Sequence, residues 1–577
     1  MPAPATRAAL VRLVLGGLAV AGFTAGSVGL YVRGTAAPEP KRVEPQKLFS
    51  KWPDPAQRKP ELVLVLTGQM HGYLQKCGCS NPQKGGLERR YNFIESMKAR
   101  GWEVVGLDVG DLPRPLPYSP TPEQTLTKYE FGMKALQVMG YKAIALGSQE
   151  MALPTLNGLS KYSLQKGNEY PRVLAVNVTN KNGFPDANGG SMIGGDEVIA
   201  AKSGLKVGVV GVIGAEVMQR GVDKAVTIGP AGAAVNGVLA NWKKAGTHVN
   251  VMLYQGPLDW KTAGGQKADA ESAAQNFPDF HIILCKTPDE SDAPLQPTMA
   301  NGGRTMIVQV GQRGQTVGVV GIYKGPAGET ELYYERVVMS DEFETPADQE
   351  KQNAVLNLLQ EYSDTVKDND YLSEMAKRKK LHAVQAQAKG AAFAGDAACA
   401  VCHQAETQVY AQTKHAHAYE ALEKIAKHPK GRNFDGECII CHTVGYEYQT
   451  GYVNAKETPH LKNVQCESCH GPASLHVAEE QANLKKKANQ QVHTTAKLLS
   501  PWKAGGDGRM PSLDKLEAYA RESDVARKQT LLTKPEYEMY LRVYEVCARC
   551  HDLDNDPHFK LEEYWKKIAH TGLGKKK

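Results

Sequence analysis

From residue 61 to about residue 340, short apolar runs alternate with stretches whose apolar residues recur every three or four positions. Leu62–Leu66, Val104–Leu107, Ala143–Leu146, Val173–Val176, Val207–Ile213, Val249–Leu253 and His281–Leu284 predict buried strands. Tyr91–Lys98 and Tyr129–Met139 predict amphipathic helices. Alternation of this kind predicts an α/β layered domain. Thr345–Lys380 predicts charged helices with Ala354, Leu356, Leu358 and Leu359 on an apolar side. Ala383–Ala398, rich in Ala, Gly and Gln, predicts a linker. Beyond it strand-like runs are few, and His and Cys cluster.

The N-terminus has its own pattern. Leu13–Val32 is 20 residues without a charge, preceded by Arg7 and Arg12 and followed by Arg33, Lys41 and Arg42. A helix of that length spans a hydrocarbon core of about 30 Å. The expectation is a membrane partner: residues 13–32 anchor the chain in the inner membrane, with the bulk periplasmic or otherwise extracytoplasmic. Cleavage after Ala36, with Gly34 at −3, is the alternative. The expected divisions are residues 1–36, signal or anchor; 37–60, tether; 61–340, α/β domain; 341–397, helical linker; and 398–577, a Cys/His-rich domain.

Composition narrows the class. Hydrophobic residues are 42% and charged residues 23% of 577, which excludes global disorder, collagen-like repeats and a polytopic membrane protein. The net charge of +7 is mild for this length, and no nucleic-acid partner is expected. Eight of the 11 cysteines fall in four copies of C-x-x-C-H: Cys399/Cys402/His403, Cys438/Cys441/His442, Cys466/Cys469/His470 and Cys547/Cys550/His551. This is the attachment pattern of c-type haem. Two thiols bond the two vinyl groups of one porphyrin, and the adjacent His reaches the iron. A redox dithiol or half a zinc site accounts for one C-x-x-C but not for four with His in the same place. The expected cofactors are four covalent haems, with His403, His442, His470 and His551 as proximal ligands. A second His on each iron makes an electron-transfer haem; an empty sixth position leaves room for a small substrate. His415, His417, His428, His460, His476, His493, His558 and His570 also lie in this region, more than four distal positions need.

Thr413-Lys-His415-Ala-His417-Ala-Tyr419, Cys441-His442-Thr-Val-Gly445-Tyr446, and Val464-Gln-Cys466-Glu467-Ser-Cys469-His470-Gly471-Pro472 with His476 are similar to the tetrahaem cytochrome c-554 family. The resemblance covers about Ala398–His570. It implies closely stacked haems, mostly bis-His, that pass electrons to redox partner proteins, and it makes His415 and His476 distal ligands. Thr413 stands where the family has Ser. His417 and His570 are further distal candidates. The family can include one five-coordinate haem, so the alternative function is a haem enzyme acting on a small nitrogen or sulfur compound. The basic run Lys485–Lys487, in the insertion Lys485–Glu536, reads as solvated surface or as a docking patch for an acidic partner.

Residues 61–340 resemble calcineurin-like metallophosphatases, in particular the catalytic domain of 5′-nucleotidases. The resemblance rests on Leu66-Thr-Gly-Gln69-Met-His71-Gly72, Leu107-Asp-Val-Gly110-Asp111-Leu112, Gly140–Glu150, Ala175-Val-Asn177-Val178 and Lys206–Gly214. The implied fold class is multidomain: an α/β four-layer sandwich, metallophosphatase-like, followed by a mainly α-helical multihaem cytochrome c domain. The departures fall on the family's metal ligands. Gln69, Ser148, Gln149, Gln255, Lys286 and Pro288 stand where Asp, Asn and His are expected; His71 and Asp111 remain. A lysine at a cation site opposes metal binding. The expectation is a fold retained without phosphatase chemistry, with a working 5′-nucleotidase as the rival. Cys77, Cys79 and Cys285 are not haem thiols; with His71 and Asp111 they form a candidate thiolate or vestigial site for one additional metal. The rival is a buried apolar Cys285 and a free or oxidised Cys77/Cys79 pair.

Overall fold

A computed structural model describes residues 45–76, 83–115, 121–152, 155–163, 165, 170–186, 190–218, 226–288, 291–425, 428–499, 510–552, 555–556 and 558–570. Two sheets form the centre of the first region. One runs edge to edge as Thr330–Val338, Thr316–Lys324, Leu62–Thr67, Val104–Asp108, Tyr141–Ala145, Arg172–Leu174 and Ile193–Gly194. The other runs Thr298–Ala300, Thr305–Gln309, Ile282–Lys286, Val249–Pro257, Lys206–Ile213 and Asp196–Ala200. The inner strands of both are parallel, as buried crossover sheets require.

Strand parity sorts the side chains into layers. Leu62, Leu64 and Leu66 meet Val207, Val209, Leu253 and Leu284 between the sheets. Val63 and Val65 point the other way, against helices Leu87–Lys98, Pro122–Met139 and Ala354–Asp368. Val210, Val212, Met252 and Ile283 pack under helices Gly232–Ala245 and Ala270–Asn276. The result is helix, sheet, sheet, helix. The Pro122–Met139 helix starts where Thr121 accepts a hydrogen bond from Gln124 N and Pro122 presets φ, and it stops at left-handed Gly140.

Two expectations about boundaries change. Val355, Leu356, Leu359, Tyr362 and Val366 belong to the α/β core, so the first part of the expected linker is an outer helix of that region. Ala383–Ala398 is not a loose tether either. It contains helix Ala383–Gln387, it buries Phe393, and Ala394 N and Gly395 N donate to Glu467.

From Asp396 on, the described elements are helices, mostly short. Their apolar core is thin: Leu372, Met375, Phe393, Tyr419, Ile439, Tyr446, Tyr452 and Leu461 in one cluster, and Met539, Val543 and Leu561 in another. The expected membrane partner and inner-membrane anchor are corrected. Among the described residues no helix is long and apolar enough to cross a membrane, and residues 13–32 lie outside the described residues.

Candidate functional site

Three of the C-x-x-C-H segments sit on or beside one helical turn: Asp396–Ala400, Gly436–His442 and Cys466–His470. The fourth follows the long helix Lys534–Ala548. Cysteines three apart on a helical turn share a face, so each segment presents two thiols and an imidazole together. The segments also adjoin one another. The thiols of Cys399 and Cys466 are hydrogen-bonded, as are those of Cys441 and Cys550.

Cys402 departs from the other seven C-x-x-C-H thiols. They are half-buried, whereas Cys402 is exposed, and so is the neighbouring His403. The cause is local. Helix Asp396–Ala400 ends before Cys402, which lies in the turn leading to helix Gln404–Ala411, and a turn between two short helices projects its side chains outward. Cys402 N still donates to Cys399 O at 3.2 Å, so the two cysteines keep helical spacing. A thioether needs access to one vinyl group, not burial.

The histidines form opposed pairs. Ring centroids are 6.4 Å apart for His403 and His476, 5.9 Å for His415 and His551, and 6.1 Å for His470 and His570. Two metal–imidazole bonds of about 2 Å, plus the half-width of each ring, put centroids about 6 Å apart. The thiols and the paired imidazoles therefore fit haem iron. His442 is different: among the described residues no histidine ring stands opposite it at this distance. His417 is exposed and likewise unopposed. Burial holds the imidazoles of His415, His442, His470 and His476 below their ordinary value, favouring the neutral ring a metal binds.

The outer ring nitrogens are held, and by different partners. His442 Nδ1 lies 2.6 Å from Ala418 O, and His470 Nδ1 lies 2.8 Å from Leu499 O. His551 Nδ1 lies 2.8 Å from a carboxylate oxygen of buried Asp556. His403 has only Glu406, at 4.0 Å. These contacts fix ring orientation and tune the basicity of the nitrogen left for iron. Glu467, inside the third segment, is buried and accepts from Ala394, Gly395 and Ala473 amides, tying the 391–395 loop to that segment. Gly471, at φ 83°, lets the chain turn away after His470; a Cβ there would stand 2.8 Å from His382.

In the α/β region the former ligand positions bond to one another. Gln69 donates to Thr287 O at 3.0 Å and accepts from Thr287 N at 2.7 Å. Gln255 donates to Val109 O at 2.5 Å. Asp111, fully buried, accepts from Ser148 Oγ and Gln149 N at 2.8 Å each, and Lys286 Nζ is 3.0 Å from its other oxygen. Burial acts to raise the Asp111 pKa, but Lys286 and His71 outweigh it and hold the carboxyl well below the usual range. Glu150 accepts from the amides of Asp111 and Leu112; burial, then the charge of Asp111, pushes its pKa up. Gly147 is required here, since a Cβ would lie 2.2 Å from both Asp111 N and Glu150 Oε2. The two-metal set does not fit: the Lys286 ammonium pairs with Asp111, and Gln69 and Gln255 Nε2 bond to backbone. The one group of three metal-type side chains within 4.8 Å among the described residues is His476, Glu479 and Glu480, in the haem region.

Of the expected thiolate site, Cys285 faces away from the cleft. Leu284 faces the inter-sheet core and Lys286 faces Asp111, so Cys285 between them faces the helical layer, among Trp242, Tyr254 and Phe280. Burial raises its pKa well above that of a free thiol, which keeps it protonated. Cys77 and Cys79 lie outside the described residues. Residues that sequence reasoning passed over are Asp556, Glu467, Arg114, Lys128 and Glu437. The only signal for the last was its place beside Cys438.

The class these observations define is a c-type cytochrome region joined to an α/β sandwich. Residues 398–471 match the family Cytochrome c554 and c-prime. Cytochrome c-554 of Nitrosomonas europaea is 38% identical over 98 residues, 15% of this chain and 42% of that protein. The 5′-nucleotidase precursor of Thermus thermophilus is 18% identical with a TM-score of 0.40, over 53% of this chain and 59% of that one. The calcineurin-like phosphoesterase of Bacillus subtilis is 16% identical with a TM-score of 0.38, over 53% and 97%. The chain thus spans less than two thirds of cytochrome c-554 and of the nucleotidase precursor. It is an α/β sandwich followed by a cytochrome c-554-like segment.

Proposed function

We propose that the protein carries electrons through four c-type haems, and that its α/β domain serves without phosphatase chemistry. The observation that carries this reading is the set of three opposed imidazole pairs. In it Cys399/Cys402, Cys438/Cys441, Cys466/Cys469 and Cys547/Cys550 hold the haems. His403 with His476, His470 with His570, and His551 with His415 ligate three irons, and His442 ligates the fourth. Haem supplies reversible one-electron chemistry when bound. The chain's residues orient the rings through their outer nitrogens and keep them neutral by burial. Contact between thiols of different segments supports haems packed closely enough for electron exchange. The test is haem content with low-temperature electron paramagnetic resonance. Four haems per chain with three low-spin bis-imidazole signals are expected; fewer than four, or no bis-imidazole signals, would overturn the reading.

The unopposed His442 favours a second activity at that site, binding of a small ligand at a free sixth position. Nitric oxide or hydroxylamine should then shift one high-spin signal and leave three low-spin signals unchanged. In the α/β cleft, Lys286 and Asp111 neutralise one another, so no release of phosphate from AMP is expected with added divalent metal.

A further inference from the structure

The seam between the two regions runs through the second C-x-x-C-H segment. Asp435 caps helix Gly436–His442 by accepting from Glu437 N at 2.8 Å. From the α/β side, Gln124 Nε2 donates to the same Asp435 oxygen at 2.6 Å, and the Tyr362 hydroxyl donates to the other at 3.4 Å. The next acidic residue, Glu437, adjoins Cys438. Its Oε2 is 2.5 Å from Lys128 Nζ and 3.2 Å from Arg114 Nη1. The Lys128 and Glu437 side chains are only 10% and 12% exposed. Burial acts to raise the Glu437 pKa, yet Lys128 and then Arg114 outweigh it and hold the carboxylate ionised. Both cations come from the α/β domain and the anion from the haem region.

We propose that the α/β domain is the electrostatic holder of the second haem site, the one whose His442 has no opposing imidazole among the described residues. Lys128 and Arg114 are positioning residues: they seat Glu437, and each charge of the cluster biases how readily that centre accepts an electron. This rests on the haem reading above. In a buried cluster of Lys128, Arg114, Glu437 and Asp435, each cation opposes the extra charge of an oxidised centre and each carboxylate favours it. Removing a cation therefore favours oxidation, and removing the anion favours reduction. A merely structural clamp does not produce opposite signs.

The test is a potentiometric titration of the full haem-loaded chain, followed optically and by paramagnetic resonance. Lys128→Met should lower the reduced-to-oxidised ratio of one component about tenfold at fixed potential, about 59 mV for one electron. Glu437→Gln should raise the same component by a similar factor. The double variant should return near wild type, and Lys128→Arg should not move. If Lys128→Met fails to accumulate, Glu437→Gln carries the test, because it keeps both cations. Shifts of the same sign in both single variants, a shift shared by all four components, or no shift in Glu437→Gln would overturn the proposal. If the component that moves is low-spin, the clamp stands and the open coordination of the His442 site falls. Haem content of the wild type reports separately on the haem reading.

Discussion

The α/β cleft and the haem region hold similar polar side chains and treat them in opposite ways. In the cleft the groups that a metal would join are turned on each other: Lys286 on Asp111, Ser148 on Asp111, Gln69 on Thr287. In the haem region the imidazoles are held at their outer nitrogens and pair with ring centroids about 6 Å apart. Polar groups that bond to one another stabilise the fold and leave an ammonium beside the buried carboxylate, a poor place for a cation. An array held at its outer atoms is incomplete without a ligand. The apolar cores show the same division: the sheets bury continuous clusters, whereas the core beside the last haem segment is built on Met539, Val543 and Leu561.

The largest effect should come from denying the haem region its cofactor. Replacing all eight C-x-x-C-H cysteines by Ser should leave residues past about 390 without stable structure while the sheets persist, as read by hydrogen exchange. Protection of that region without haem would break the comparison. Next, Lys286→Met leaves Asp111 buried without its cation and should destabilise the α/β domain by about 3–5 kcal/mol in urea unfolding, with haem spectra unchanged. Third in size is pH. The Glu150 pKa is raised on folding, so its contribution is full below its ordinary value of 4.5 and is lost as pH rises through the folded value. Glu150→Gln should flatten the alkaline loss of stability. A smaller effect is expected of Asp556→Asn, which weakens the carboxylate bond to His551 and should raise the potential of one low-spin haem. His417→Ala should change no haem signal; if it does, the pairing of His415 with His551 needs revision.

Much of this is legible in the chain because it is local. Strand runs, the four haem segments and the lost phosphatase ligands are read from adjacent residues. His415 and His476 can be singled out, but which iron each faces depends on contacts between helices far apart in sequence. The motif treats Cys402 like its seven counterparts, because its exposure comes from where two short helices meet and not from the five residues themselves. Cys285 is misplaced by one step of strand parity: Lys286 reaches the cleft, so its neighbour must face away. The linker reads as loose because Ala and Gly carry little signal, and it is Glu467, elsewhere in sequence, that fixes it. Lys128, Arg114 and Glu437 are invisible as a group, since ordinary surface charges become a buried cluster only when the two regions meet. Gln69, His71 and Asp111 hold left-handed backbone at φ 50°, 49° and 60°, which no local pattern in the chain announces.

The inward turn of Cys285 has a practical side. A protonated thiol sealed beneath a helical layer reacts with alkylating reagents only when that layer opens. The protein therefore carries its own stopwatch: the labelling rate of this sulfur times the opening of the α/β sandwich.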